Sequence, residues 1–276
     1  MARTWGDDSP MVDDVGRRDV TSTDTLSGGS EKLVVQSLSM ADITGSLRAG
    51  VRDFRRAPQF GLFFSAVYVF GGFLMLWVGA GHVTWTLATS LGFPLIAPFA
   101  AAGLYEVSRR LETDEPLKWS GVLGIVWNER TRQLPWLGAI IVIYFLFWTF
   151  LAHMIFALFM GLSTMTNVTE SYEVFLTPNG IAMIVVELGV GAVLAFVLFS
   201  MTVVSLPLVL HREVDFVTAM LTSMKAVRAN LFVMLVWASI IAVLSLLALL
   251  PWFLGLMVVL PVLGHATWHL YRRALA

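Results

Sequence analysis

The sequence predicts an all-α membrane protein: six transmembrane helices forming three hairpin repeats, each preceded by an amphipathic helix at the cytoplasmic interface. Three observations carry this prediction: an apolar composition, six runs of span length, and a one-sided distribution of lysine and arginine. Of 276 residues, 57% are hydrophobic and 13% charged, whereas about a quarter of a soluble domain is charged. The apolar residues fall in long runs rather than core-sized pieces, which favours one helical bundle over several domains. There is no cysteine, which excludes disulfides, thiolate metal sites and cysteine nucleophiles.

Residues 1–40 differ in kind. The stretch from Met1 to Lys32 holds seven acidic and four basic residues among many Ser, Thr and Gly, with almost no apolar periodicity, and predicts a disordered polar acidic tail. A basic start followed at once by an apolar segment is missing, so the tail does not read as a secretory signal. The functional alternative is a docking arm for a partner.

A helix needs about 20 mostly apolar residues to cross a bilayer. Residues 41–276 contain six such stretches, roughly 60–80, 84–105, 134–160, 180–205, 231–250 and 252–270. Prolines at Pro94 and Pro98, Pro207, and Pro261 fall in or beside the second, fourth and sixth. They predict kinks packed where neighbouring helices take up the freed backbone groups.

Orientation follows from the basic residues. Arg48, Arg52, Arg55 and Arg56 precede the first span, and Arg109, Arg110, Lys118, Arg130 and Arg132 lie between the second and third. Arg212, Lys225 and Arg228 lie between the fourth and fifth, and Arg272 and Arg273 end the chain. The other three connections have none, so both termini are predicted to be cytoplasmic. The outward connection from Ser163 to Asn179 holds Glu170 and Glu173 instead. The other outward turns are short, which excludes a large external domain.

Each cytoplasmic segment before an outgoing span is amphipathic. Ile43, Leu47, Val51 and Phe54 form one stripe; Trp119, Val122, Val126 and Trp127 form the second; Phe216, Met220, Met224 and Val227 form the third. Helices of this kind lie apolar face down in the interface and attract anionic lipid headgroups through their basic side chains. They serve either to cap the bundle or to sense lipid. The returning ends repeat as well: Pro98 to Leu111 overlays Pro261 to Ala274, with Tyr105 on Trp268 and Arg109 and Arg110 on Arg272 and Arg273. These aromatic and arginine residues are read as interfacial anchors.

Three strings, LIAPFAAAGLYEVSRRLE, VVSLPLVLHREVDFVTAMLTSMKAVRANLFVMLVWA and LPVLGHATWHLYRRAL, resemble a bacterial integral-membrane family, domain of unknown function 2189, found mainly in proteobacteria. The resemblance runs from about Gly50 to the C terminus, and the last string is its most specific piece. It implies an inner-membrane protein of a Gram-negative bacterium and no particular activity. Two departures stand out: the family usually has aspartate where this chain has His211 before Arg212, and often proline after the asparagine where it has Asn230 and Leu231. A catalytic role for that aspartate would be lost here, whereas a helix-capping role would tolerate the change.

Ionisable residues within a span are functional candidates because burying them near the bilayer centre is costly. His153, Glu187 and His265 lie well inside. Glu187 is followed by Gly191 and Ala195 at helical spacing, a small-residue seam suited to helix packing. With His153 at similar depth it forms a candidate proton or substrate site. His265 and His269 share one helix face, and His211 is on the same side of the membrane, so the three are candidate metal or haem ligands. Against that reading, no metal motif such as H-E-x-x-H is present and no other span offers an opposing histidine. Asn167 in NVT reads as a chance sequon, and the Gly189 to Gly191 stretch as helix packing.

No nucleophile, base and orienting group cluster in the sequence, so no enzyme, cofactor or nucleic-acid partner is expected. The leading expectation is a non-catalytic accessory or scaffold protein of the bacterial inner membrane. Its partners are the bilayer, anionic headgroups and another inner-membrane complex. The alternative is a small proton-coupled transporter or channel using Glu187; scarce polar residues at mid-membrane count against it.

Overall fold

The computed structural model describes residues 33–79, 83–161 and 175–275; side chains of 75, 78, 79 and 83–95 lie outside the description. Residues from Val34 onward form one compact unit. The acidic segment 1–32, the sequon at Asn167, and Glu170 and Glu173 fall outside the described residues, as does the side chain of Pro94.

Ten helices follow in order: α1 (Met40–Arg56), α2 (Pro58–Gly79), α3 (Val83–Glu112), α4 (Trp119–Glu129), α5 (Leu134–Met160), α6 (Pro178–Thr202), α7 (Ser205–His211), α8 (Phe216–Ala229), α9 (Leu231–Leu249) and α10 (Leu256–Ala274). Three helical stretches are long and apolar enough to cross a membrane among the described residues: 134–160, 178–211 and 231–249. A fourth is added if α1 and α2, bent by 100°, count as one broken span. The polar last turns of α10 carry His265, His269, Arg272 and Arg273, which shorten its apolar run; the first half of α3 falls among the side chains outside the description.

At the start of α1, the Ser39 backbone N–H and hydroxyl both donate to the Asp42 carboxylate, at 2.8 and 2.7 Å. These bonds satisfy an otherwise orphaned terminus and hold the Asp42 carboxyl below its usual range. The helix stops at Ala57 because Pro58 disfavours a helical residue before it and opens α2. α1 runs antiparallel along α10. Its buried face is Ile43, Ser46, Ala49, Gly50 and Asp53. A Cβ on Gly50 would stand 2.5 Å from the Val262 carbonyl oxygen and 2.7 Å from the Ala266 nitrogen, so only glycine lets the two backbones approach this closely.

The extended segment 34–39 lies against the C terminus. Gln36 N donates to Ala274 O at 2.9 Å, and Val35 and Leu275 form an antiparallel bridge. Part of the predicted polar tail, which was drawn through residue 40, is thus held in place. Deeper in the unit, Phe60 and Phe64 of α2, Ala100, Leu104 and Val107 of α3 and Val122 of α4 make an apolar core. Trp119 covers it, 4.2 Å from the Phe60 ring.

The predicted proline kink appears between α6 and α7. Pro207 has no N–H and cannot extend the α6 ladder. The freed groups find a partner on α8: the buried Ser223 hydroxyl donates to Ser200 O at 2.7 Å and accepts from Val204 N at 3.1 Å. Pro261 is likewise buried in α10.

Candidate functional site

The last turns of α10, the end of α3, the face of α1 and the end of α7 meet in a buried polar cluster. Its centre holds two side-chain pairs. His269 Nε2 lies 2.7 Å from Asp53 Oδ2, and the Ser108 oxygen lies 2.8 Å from His265 Nδ1. Asp53 is 2% exposed, and Ser108 and His265 are fully buried. Burial would raise the Asp53 carboxyl, but the hydrogen bond from His269, the neighbouring Ser108 hydroxyl and the nearby imidazoles outweigh it and hold it below its ordinary 3.8.

A carboxylate only accepts hydrogen bonds. Asp53 therefore takes the His269 Nε2–H. The direction of the hydrogen bond between Ser108 and His265 Nδ1 follows the His265 tautomer, and His265 Nε2 has no hydrogen-bond partner among the described residues. Serine and imidazole are within bonding distance, but both are sealed inside, whereas in a serine hydrolase the hydroxyl faces substrate.

Around this centre the remaining charges pair. Glu106 accepts from Arg109 at 2.8 and 3.0 Å and from Arg110 at 2.6 Å. Arg109 also reaches Glu115 at 2.7 Å, and these carboxylates raise its pKa further. Glu112 accepts from Trp268 Nε1 at 3.0 Å and from Arg272 at 3.1 Å, while Arg273 pairs with Asp42 at 3.2 Å.

The predicted residues are distributed as follows. His265 and His269 do share a face of α10, but each has its own partner. His211 Nδ1 lies 2.9 Å from the Tyr271 hydroxyl and its ring stands edge-on to Trp268. The three imidazoles therefore do not converge as ligands would, and no group of three metal-binding side chains forms among the described residues. Tyr105 and Trp268, read as interfacial anchors, are 5% and 1% exposed and stack on one another at 6.4 Å. They act as internal packing, because α3 and α7 pack on the Trp268 face of α10 through Tyr105, Glu112 and His211. Of the anchoring arginines, Arg109, Arg110, Arg272 and Arg273 are all engaged in the ion pairs above.

Glu187 and His153 are not joined by a hydrogen bond or ion pair. His153 is exposed on α5, with Nδ1 2.7 Å from Thr149 O. Glu187 is half-buried on α6 and makes no hydrogen bond or ion pair among the described residues. Gly191 of its seam meets Trp148, whose ring would stand 3.0 Å from a Cβ there, whereas Ala195 is exposed.

Four residues that build the cluster and its surroundings were not singled out from sequence: Asp53, Ser108, Glu112 and Asn230. Asn230 is 6% exposed; its Oδ1 accepts from Leu38 N at 2.6 Å and its Nδ2 donates to Gln36 O at 3.0 Å. One signal for Asp53 was available. Ser46, Gly50 and Asp53 follow at helical spacing, a small-residue face ending in an acid.

The family model described as "Predicted integral membrane protein (DUF2189)" matches residues 86–211. The middle of the chain is similar to that family. The match is narrower than the resemblance read from Gly50 to the C terminus: it includes the end of α3 with Ser108 and Glu112 and stops at His211, leaving the α10 string outside. No curated protein and no solved structure matches the chain.

Proposed function

We propose that the chain is a non-catalytic scaffold of a bacterial inner membrane, six-spanning with both termini cytoplasmic, that assembles with another membrane protein complex. The helix order supports the six-span arrangement: α1, α4 and α8 each precede a pair, α2 and α3, α5 and α6, α9 and α10. Ion pairs join α1 and α3 to α10, and Arg132 after α4 to Glu213 after α7, which is what three cytoplasmic connections brought to one end would do.

The observation that carries the scaffold reading is a groove between α6 and α9. Ala192, Ala195, Ala238, Ser239 and Ala242, with Phe196, Phe199, Leu235 and Ile241 beside them, line a cavity of about 380 Å³ there. Small residues let another helix approach its backbone closely, the main source of packing energy between helices in lipid. The polar cluster, by contrast, is closed on itself. The test is purification in mild detergent with Ala238→Leu and Ala242→Leu. A specific partner, identified by mass spectrometry with the native chain, should be lost from both variants while elution volume and thermal stability hold. Full recovery of that partner with both would overturn the reading.

A proton-coupled transporter is the second reading, favoured by the half-buried Glu187 without a partner among the described residues. Topology has its own check. Reporter fusions after Asn167 and Pro251 should behave as external and those after Leu117, Val214 and Ala276 as internal; a cytoplasmic signal from the Asn167 fusion would overturn the map.

A further inference from the structure

α1 is seated rigidly on α10 by Asp53 and Gly50, and its opposite face carries Arg48, Arg52, Arg55 and Arg56, all exposed. Together with Leu47 and Val51 they line a cavity of about 510 Å³. Arg52 lies 3.8 Å from Asp53, whose carboxylate is already taken by His269. Arg48, Arg55 and Arg56 make no ion pair among the described residues. Four cations held on two turns of one helix without counter-charges repel each other, a cost that an anion removes.

A second cavity, about 550 Å³, begins at the same Leu47 and continues along α9 past Phe232, Leu235, Val236, Ser239, Ile240, Val243 and Leu244. α9 is one of the three helices that qualify as membrane spans, so this groove runs down the hydrocarbon layer from the basic face. The pairing of a cationic mouth with an apolar channel of membrane depth matches one class of molecule, a lipid with an anionic headgroup and long acyl chains.

We propose that the α1 and α9 grooves form one site for an anionic phospholipid, its phosphate held by Arg48, Arg55 and Arg56 and one acyl chain lying along α9 beyond Leu47. This assignment rests on the chain being a membrane protein with α1 at its surface, and not on the scaffold reading. It differs from general attraction of a basic helix to a charged surface, because it requires the apolar half of the site.

The test uses the full chain in detergent micelles supplied with phosphatidylglycerol, phosphatidylcholine or inorganic phosphate, read by thermal stability and by native mass spectrometry. Phosphatidylglycerol should stabilise the protein and appear as a one-to-one adduct, whereas phosphatidylcholine at equal concentration should do neither. In Arg48→Gln/Arg55→Gln/Arg56→Gln the phosphatidylglycerol affinity should fall by roughly tenfold to a hundredfold, from the loss of three cations at the site. Val243→Trp keeps every charge and fills the α9 groove without touching the α6 side, so it should also remove the adduct, and it serves as the check if the arginine variant does not fold. Equal stabilisation by the two lipids, an adduct that survives Val243→Trp, or full protection by inorganic phosphate or by a peptide of residues 1–32 would each overturn the assignment.

Discussion

The end of the molecule built by α1, the last turns of α3, α7 and α10 differs sharply from the middle built by α5, α6 and α9. At the first, α10 alone buries ten residues, and charged groups sit inside only because each has a partner. At the second, 6% of the apolar window of α5, 6% of that of α6 and 22% of that of α9 is buried within the protein, leaving side chains such as Phe150, Leu158, Leu188 and Phe232 exposed. Water would penalise such a surface, and lipid does not. The difference teaches that stability at the polar end comes from specific, breakable pairs, whereas the apolar end depends on its surroundings and should tolerate substitution.

The largest effect should follow from breaking the centre of the polar end. Asp53→Ala leaves the half-buried His269 donor without its acceptor and should cost about 3 kcal/mol, the scale of breaking a buried pair. Thermal unfolding in mild detergent measures it. The pH dependence is more discriminating. Because the folded Asp53 carboxyl lies below its ordinary value, its contribution is fully present above about pH 4 and disappears as pH falls through the folded value. Asp42, Glu115 and Asp215 are also lowered, so the chain as a whole loses stability in acid. Asp53→Asn should flatten part of that acid limb, and an unchanged limb would show that Asp53 is not ionised in the folded protein.

Two intermediate effects test the seams between the regions. Asn230→Ala removes three hydrogen bonds that join segment 34–39 and the end of α8, and it should cost about 2 kcal/mol. Hydrogen exchange at Leu38 should rise more than exchange within α5. Ser223→Ala takes the partner from Ser200 O and Val204 N at the α6 to α7 break. With water excluded, it should cost about 1 kcal/mol, read by unfolding and by faster exchange at Val204. Protection at Val204 equal to the native chain would mean that another group satisfies the break.

Much of this comparison was legible in the sequence. Apolar runs at 134–160 and 231–250 coincide with α5 and α9, and Pro207 gave the break at the end of α6, because hydropathy and proline act locally. The pairings of the polar end were not legible. Asp53 and His269 are 216 residues apart, and the apolar stripe read in α1, Ile43, Leu47, Val51 and Phe54, passes Asp53 by. Tyr105 and Trp268 were read as headgroup anchors, and the structure buries both. An aromatic beside arginines at a helix end fits both a headgroup anchor and an interior stack, and only the packing of α3 and α7 on the Trp268 face decides between them.

The smallest effect should come from Glu187→Gln, which separates the two functional readings at the apolar end. Glutamine matches glutamic acid in shape, and Glu187 has no hydrogen bond or ion pair to lose among the described residues. Its flank on α6 is exposed through Val185 and Leu188. Stability should therefore change by less than about 0.5 kcal/mol, the range for substitutions that touch no specific feature. If the protein is a scaffold, recovery of its partner should also be unchanged, because the α6 and α9 groove is lined by Ala192 and Ala238 and not by Glu187. A transporter would behave differently, since the change removes the only acid placed deep in a span while the fold survives. Proton flux in liposomes decides between them: flux from the native chain that vanishes in Glu187→Gln would replace the scaffold reading with the transporter, and equal flux from both forms would leave Glu187 without a part in proton movement.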